Sequence, residues 1–172
     1  AKSFDDLPVG AVVGTASLRR GALVKRLRPD LQVVTFRGNV QTRLRKLEEG
    51  EVDATLLALA GLNRLGHPEV ATAVLDIDRF PPALGQGAIA VETRDGDGPV
   101  LAALAPLMDT ATGTAVSCER AFLAELDGSC RTPIAGHATL AGDRIRLHAL
   151  IATPDGARVE ETVMEGGIAD AE

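Results

Sequence analysis

Short apolar runs alternate with longer stretches of helical periodicity over the first eighty residues. The runs AVVG, LQVVTF and ATLLALA occupy residues 11–14, 31–36 and 54–60 and are rich in aliphatic residues. Runs of this length and composition predict strands. Because each is separated from the next by a helix-like stretch, the pattern predicts a parallel sheet with crossover helices.

The signals at the ends of the two intervening stretches support helices. Thr15 or Ser17 can cap the first, which continues until Pro29 disfavours helical geometry at the residue before it. Asn39 can cap the second, and Gly50 supplies a left-handed stop. Its apolar residues recur at i, i+4 and i+7, namely Val40, Leu44 and Leu47.

The pattern changes after Phe80, where two prolines follow. The segment ALGQGAIAVE at 83–92 predicts a glycine-rich turn that leads into a strand, and RDGDGP predicts an exposed loop. From about residue 112 a helix is expected, with Val116, Leu123 and Leu126 roughly on one side and a stop at Gly128. Extended segments at 133–140, 144–152 and 157–165 are separated by turn-forming residues, which predicts an antiparallel meander packed on that helix.

The overall composition narrows the class of protein. A net charge of −6 argues against sustained contact with nucleic acid or anionic lipid, and four phenylalanines are the only aromatic residues available for base stacking. Two cysteines are too few for a disulfide scaffold, and no apolar run approaches the length of a membrane helix, so we expect a cytoplasmic protein. The first residue is Ala1 and the last six resemble the start of a helix, so we expect both ends to be cut.

Positive charge is concentrated in one part of the chain. Residues 19–46 contain nine basic residues and one acidic residue, which gives this window a net charge of +8. Polar residues follow each predicted strand, and the carboxyl ends of parallel strands are where ligands bind in open α/β sheets. The sequence therefore predicts a pocket for several carboxylates or phosphates, because arginine binds such groups bidentately. The residues expected at this edge are Ser17, Arg19, Arg20, Arg37, Asn39, Arg43 and Arg64.

The remaining basic, cysteine and histidine residues are compatible with ordinary structural roles. Lys25, Arg26, Arg28, Arg45 and Lys46 are expected to be ordinary surface charges. Cys130 lies in a Gly-Ser-Cys-Arg loop beside a cation that favours the thiolate, although a lone cysteine is more often a small buried apolar residue. Cys118 is expected to be such a buried residue. The histidines show no metal-ligand spacing, and no metal site is predicted.

Three motifs in order resemble one enzyme family. They are VVGTASLRRGALVKRLRPDLQVVTFRGNVQTRLRKLEEGEVDATLLALAGLNRLG, PPALGQGAIAVE and CERAFLAELDGSCRTPIAGHATL, which together cover most of residues 11–140. In order and spacing they are similar to porphobilinogen deaminases. The resemblance implies two α/β domains similar to periplasmic binding proteins and a small α+β domain with an antiparallel sheet. Residues 1–81 would then belong to the second domain, 82–106 would return to a largely missing first domain, and 109–172 would form the third.

The resemblance also implies an activity and a division of roles. Such enzymes condense porphobilinogen stepwise onto a covalent dipyrromethane primer, with loss of ammonia, to form hydroxymethylbilane for heme biosynthesis. Cys130 matches the cysteine that holds the primer, and the seven residues at the sheet edge match side chains that bind acetate and propionate groups. Gln86 and Gly87 match a substrate-site turn. The catalytic aspartate of the family lies in the first domain and matches nothing here, so no catalytic residue is assigned and the chain alone is expected to be inactive. The expected partners are porphobilinogen and the growing oligopyrrole, with the full-length protein a monomer.

Two other functions remain compatible with the arginines alone. The chain could be a non-catalytic anion-binding module, such as a periplasmic-binding-like sensor domain, or a structural fragment that binds nothing. Neither explains the loop that contains Cys130 or the turn that contains Gln86. A covalent primer on Cys130, detected by mass spectrometry, distinguishes the deaminase from both.

Overall fold

The computed structural model describes residues 1–126 and 132–171, which contain two three-stranded sheets. The first sheet is parallel, with the order β2-β1-β3. Its strands are β1 (Val12–Gly14), β2 (Gln32–Val34) and β3 (Ala54–Thr55). In register, Val13 of β1 lies between Val33 and Ala54. The parallel sheet predicted from the alternating pattern is confirmed.

The two crossover helices begin and end where the sequence signals them. Helix α1 (Leu18–Leu27) is capped by Ser17, whose Oγ accepts from the backbone N–H of Arg20 at 3.3 Å. Helix α2 (Val40–Glu48) is capped by Asn39, whose Oδ1 accepts from Thr42 N–H at 2.8 Å. Gly50 adopts a φ of +77°, the left-handed conformation expected of a glycine that ends a helix.

Two predicted strands are wrong in part or entirely. The third apolar run forms a strand only over Ala54–Thr55, and helix α3 (Leu59–Arg64) occupies its second half. Short apolar runs do not distinguish strand from buried helix, and leucine and alanine favour helix here. Residues 88–94 form no strand, and Ile89 and Val91 are largely exposed. A strand needs a partner for its backbone groups, and no described strand pairs with this segment.

The segment between the sheets also contains helices that the sequence analysis did not predict. Residues Pro68–Val70 and Ala105–Leu107 form single 3₁₀ turns, and helix α4 spans Gly98–Leu104. Asp97 caps α4 with a hydrogen bond from the N–H of Val100. In the described ranges no single helix is long and apolar enough to cross a membrane. One pair of helices, Gly98–Leu107 and Thr110–Glu125, passes that test jointly by length and composition, with a bend of 106° between them.

The second sheet is the predicted antiparallel meander. Its strands are β4 (Ile134–Ala141), β5 (Arg144–Ala152) and β6 (Val159–Gly167), in the order β4-β5-β6, followed by a 3₁₀ turn at Ile168–Asp170. The helix α5 (Thr110–Glu125) packs on this sheet.

The sequence pattern groups three apolar residues roughly on one side of α5 without predicting which side contacts the sheet. The core contacts are made by Ala115, Cys118 and Phe122, and Leu126 is 38% exposed. Apolar residues occur on more than one side of this helix, so the sequence did not select the buried side. The predicted stop, Gly128, lies outside the described residues.

Helix α1 lies between the two sheets and joins them. Val24 belongs to one core cluster with Val13 and Leu31 of the first sheet region. Ala22 and Leu23 belong to a second cluster, which they share with residues of the antiparallel sheet, namely Ala135, Leu150 and Ala152. The middle of α1 is therefore packed on both sides, and Arg19, near the start of the helix, is buried.

Candidate functional site

The loops after the three parallel strands meet at one edge of the first sheet. Thr55 Oγ1 donates to the carbonyl of Gly14 at 2.9 Å, which joins the ends of β3 and β1. Phe36 N–H donates to the carbonyl of Thr15 at 3.3 Å, which joins the loops after β2 and β1. The predicted convergence of polar loops at the carboxyl ends of the strands is therefore present in the fold.

Arg19 is the most buried of the candidate residues, with 8% of its surface exposed. Its Nη1 donates to the carbonyl of Pro81 at 2.7 Å, and its Nη2 donates to Gln86 Oε1 at 3.2 Å. Burial, and next the positive charge of Arg20, lower the pKa of Arg19 to about 10, which leaves it protonated at neutral pH. A guanidinium has five N–H donors, so the two hydrogen bonds leave others for a ligand.

Arg20 lies beside Arg19 at the start of α1 and is partly buried. Its Nη1 donates to the carbonyl of Leu56, in the loop after β3, at 3.0 Å. Burial lowers the pKa of Arg20, and the positive charge of Arg43 lowers it further. Arg43 itself donates from Nε to the carbonyl of Gly38 at 3.0 Å, so α2 brings a third cation toward the same edge. Ser17 lies at this edge as the cap of α1.

The other predicted binding residues are less closely joined to this group. The side chain of Arg37, in the loop after β2, is exposed and makes no hydrogen bond or ion pair with any described residue. Asn39 lies in the same loop, where its side chain caps α2. Arg64 is exposed and is the last residue of α3, the helix that begins within the segment predicted to be the third strand. No described contact joins Arg64 to the other arginines.

Gln86 and Gly87 lie in a turn that contacts α1. Gln86 Oε1 accepts from Arg19 and also from Ala83 N–H at 3.4 Å. Gly87 has a φ of +98°, a conformation that side-chain-bearing residues rarely adopt. The turn therefore contributes a hydrogen-bond acceptor for the Arg19 guanidinium. The sequence did not indicate this contact.

The candidate arginines have no carboxylate partner among the described residues. Over residues 1–126 and 132–171, no carboxylate lies within 4.0 Å of the guanidinium of Arg19, Arg20, Arg37, Arg43 or Arg64. The five residues expected to be ordinary surface charges all have internal partners: Lys25 with the carbonyl of Leu31, Arg26 with Glu161, Arg28 with Asp30, Arg45 with Glu49, and Lys46 with Glu51. Burying a charge without an opposite charge is unfavourable, and the described partners of Arg19 and Arg20 are neutral carbonyl and amide oxygens.

One polar residue near this site was missed by the sequence analysis. Glu119 is only 5% exposed and lies on the face of α5 that packs on the second sheet. It accepts hydrogen bonds from the backbone N–H groups of Gly85 and Ala138. Its position among Ala115, Cys118 and Phe122 at helical spacing is a signal that could have identified it, because a carboxylate on an apolar face requires a specific partner.

The cysteine and histidine predictions have different outcomes. Cys130 lies outside the described residues, so its role as the attachment point stays a prediction. Cys118 is half-buried in the core between α5 and the second sheet, and burial raises the pKa of its thiol.

His148 is buried, and its Nε2 lies 2.7 Å from Glu161 Oε1. Within the described ranges no three or more His, Cys, Asp or Glu side chains are grouped to hold a metal ion.

Two family models match the chain in succession. Residues 1–102 match "Porphobilinogen deaminase, dipyromethane cofactor binding domain", and residues 114–172 match "Porphobilinogen deaminase, C-terminal domain". The first match alone covers more than half of the chain.

Two curated proteins that are similar to the chain over nearly its whole length are also porphobilinogen deaminases. A porphobilinogen deaminase of Nitrobacter hamburgensis (strain DSM 10229 / NCIMB 13809 / X14) is 60% identical over 99% of this chain. One from Nitrobacter winogradskyi (strain ATCC 25391 / DSM 10237 / CIP 104748 / NCIMB 11846 / Nb-255) is 59% identical over the same share. The chain spans about half the length of these relatives, 54% in both cases. The chain belongs to the porphobilinogen deaminase family.

Proposed function

We propose that this chain provides the carboxylate-binding part of a hydroxymethylbilane synthase. This transferase condenses porphobilinogen units stepwise onto a dipyrromethane primer, with loss of ammonia. The observation that carries the proposal is the pair Arg19 and Arg20, which are buried or partly buried at the end of a parallel sheet without a carboxylate partner among the described residues. Porphobilinogen bears one acetate and one propionate group, which match what two adjacent guanidinium groups bind.

The donors at the sheet edge also fit the dipyrromethane, which carries several carboxylates. In our proposal Arg19, Arg20 and Arg43 bind acetate and propionate groups of the primer or of the incoming unit, and Ser17, Arg37, Asn39 and Arg64 add donors around them. Gln86 and Gly87 belong to the substrate side of the site. When bound, the dipyrromethane supplies the pyrrole to which new units are joined, and Cys130 is the residue proposed to hold it.

The chain's own residues bind and orient the anions, and they do not supply the catalytic group. Condensation needs a carboxylate placed against positive charge that develops on the pyrrole nitrogens. We propose that this group lies in the part of the relatives that the chain does not match. The two guanidinium groups contribute by fixing the carboxylates of the reacting units, which converts a bimolecular encounter into an oriented one.

The proposed division of the chain follows from the same assignment. Residues 1–81 contain the parallel sheet and form the second domain, residues 82–106 return to a first domain, and residues 109–172 contain the antiparallel sheet and form the third. The first family match ends at residue 102 and the second begins at residue 114, and this interval, which contains the start of α5, supports a division there. We further propose a monomeric cytoplasmic enzyme whose partners are porphobilinogen and the growing oligopyrrole.

The experiment is a calorimetric titration of the 172-residue chain with porphobilinogen. The variant Arg20→Leu should weaken binding by roughly 30-fold or more, because it leaves a ligand carboxylate unpaired in a partly buried site. The matched control is Arg45→Leu, because this substitution removes the same charge from an exposed position on α2.

Unchanged affinity in Arg20→Leu, or no binding by the wild type, would contradict the proposal. If the proposal is correct, a fusion of the chain to the remaining part of the Nitrobacter hamburgensis protein should convert porphobilinogen to hydroxymethylbilane. Binding without turnover in that fusion would favour the anion-binding module instead.

A further inference from the structure

Glu119 is a buried carboxylate whose contacts all lie at the junction of the two sheets. It projects from the face of α5 that covers the antiparallel sheet, and 5% of its surface is exposed. Its Oε2 accepts from Gly85 N–H at 2.5 Å, and its Oε1 accepts from Ala138 N–H at 2.8 Å. The Nδ1 of His137 lies 3.4 Å from Oε1. One side chain therefore joins a turn to strand β4.

The turn is held against β4 by further contacts. Gly136 N–H donates to the carbonyl of Pro82 at 2.9 Å. A Cβ built on Gly136 would stand 2.7 Å from Leu84 Cδ2 and 3.0 Å from the carbonyl oxygen of His148, so the turn packs closely on this strand. Glu119 and β4 together fix the backbone of residues 82–85 relative to the second sheet.

The same turn is bonded to Arg19 on its other side. Gln86, the residue after Gly85, accepts from Arg19 Nη2, and the carbonyl of Pro81 accepts from Arg19 Nη1. Two hydrogen bonds, together with the covalent chain between Gly85 and Gln86, thus connect the Glu119 carboxylate to the Arg19 guanidinium. Because a charged hydrogen bond is sensitive to small displacements, a shift of this turn would change the direction in which Arg19 presents its free N–H groups.

We propose that Glu119 is a positioning residue for the anion site, which sets the Arg19 guanidinium through the turn that contains Gln86. The inference rests on the proposed carboxylate binding by Arg19, and it adds a residue 100 positions away whose role is not to touch the ligand. It also gives the second sheet and α5 a part in substrate binding, because they hold the turn from the side opposite to α1.

The test uses Glu119→Gln, which keeps the shape of the side chain and places an amide NH₂ against one of the two backbone N–H groups. Porphobilinogen affinity of the 172-residue chain should fall about tenfold, the order expected when one hydrogen bond to a charged group is lost. The variant Gln86→Ala should cause a similar loss, and the double variant should be no weaker than the weaker single one, because both changes act through one path. Glu161→Gln is the matched control, since Glu161 is bonded to Arg26 and His148 away from the turn and its loss should leave affinity unchanged.

A ligand-free measurement separates this inference from the proposed function. In ¹H–¹⁵N spectra, the Arg19 guanidinium resonance should shift in Glu119→Gln and stay in place in Glu161→Gln, whether or not porphobilinogen binds. An unshifted Arg19 resonance in folded Glu119→Gln would overturn the inference, as would additive losses in the double variant. If Glu119→Gln does not fold, Glu119→Asp takes its place, because it keeps the charge and withdraws the carboxylate from the turn by one methylene: wild-type affinity and an unshifted Arg19 resonance in folded Glu119→Asp would overturn the inference.

Discussion

Gly156 lies so close to Ala22 that a Cβ built on Gly156 would stand 2.5 Å from the carbonyl oxygen of Ala22. The same Cβ would be 2.7 Å from the backbone nitrogen of Arg26, and the φ of Gly156 is +70°. The turn between β5 and β6 thus rests directly on the backbone of α1. The contact between α1 and the antiparallel sheet depends on a residue without a side chain.

We expect Gly156→Ala to lower the free energy of unfolding by about 2 to 4 kcal/mol, because it combines a left-handed backbone with a clash against a helix. Gly142→Ala is the control, since Gly142 has a φ of +63° and nothing within 4 Å of a built Cβ. It should cost only about 1 kcal/mol. Urea unfolding of both variants of the 172-residue chain measures the difference, and equal losses would show that the turn does not press on α1.

Glu161 should contribute to stability in a pH-dependent manner. The hydrogen bond from Arg26, and then that from His148, lower the pKa of Glu161 below its ordinary value of 4.5. A carboxyl whose pKa is lower in the folded state stabilises the fold above its unfolded pKa, and this contribution is lost as the pH falls through the folded pKa. The difference in urea midpoint between wild type and Glu161→Gln should therefore be largest above about pH 5 and shrink toward pH 3. A gap that stays constant over this range would contradict the assigned ion pair.

The two cysteines should behave differently in a version extended to the length of the relatives. Burial raises the pKa of the Cys118 thiol, so Cys118 should react slowly with alkylating agents. Cys118→Ala should retain a covalent pyrrole adduct and cost on the order of 1 kcal/mol of stability. Cys130→Ser should lose the adduct and the activity together. Intact-mass measurement decides the assignment, and an adduct that disappears with Cys118 instead would show that the wrong thiol was chosen.

The 172-residue chain by itself should not convert porphobilinogen to hydroxymethylbilane. Its residues bind carboxylates, whereas the group proposed to stabilise the developing positive charge lies outside the matched part of the relatives. A colorimetric assay for bilane and its cyclised products measures this directly. Sustained product formation by the purified chain would place a catalytic group among the residues described above.

The sequence predicted those elements whose ends carry a local signal. Ser17, one of the two expected candidates, caps α1, Asn39 caps α2 as expected, and Gly50 ends α2, because capping depends on a few neighbouring atoms. The meander of β4 to β6 was also predicted, since turn residues separate its strands. The prediction of a strand over the whole of residues 54–60 was wrong, because leucine and alanine fit either a buried strand or a helix and only packing decides between them.

The part of the candidate site that depends on strand-end position was predicted, and the part that depends on contacts between distant segments was not. The rule that ligands bind at the carboxyl ends of parallel strands placed Arg19, Arg20 and Arg43 at one edge. It did not indicate that Arg64 is the last residue of a helix, where no described contact joins it to the other arginines. The helical spacing could have singled out Glu119, but neither its partners nor the bond between Gln86 and Arg19 could be predicted, because these contacts join segments that are far apart in the chain.

The most direct test of the carboxylate-binding assignment is the rate of bilane formation by the chain fused to the remaining part of its Nitrobacter hamburgensis relative. Arg20→Leu should lower that rate by roughly 30-fold or more, because a substrate or primer carboxylate would be left unpaired in the partly buried site. Arg45→Leu, which removes an exposed charge from α2, should retain the full rate. If Arg20→Leu and Arg45→Leu were equally active while both stayed folded, Arg20 would be an ordinary surface charge and the assignment would be contradicted.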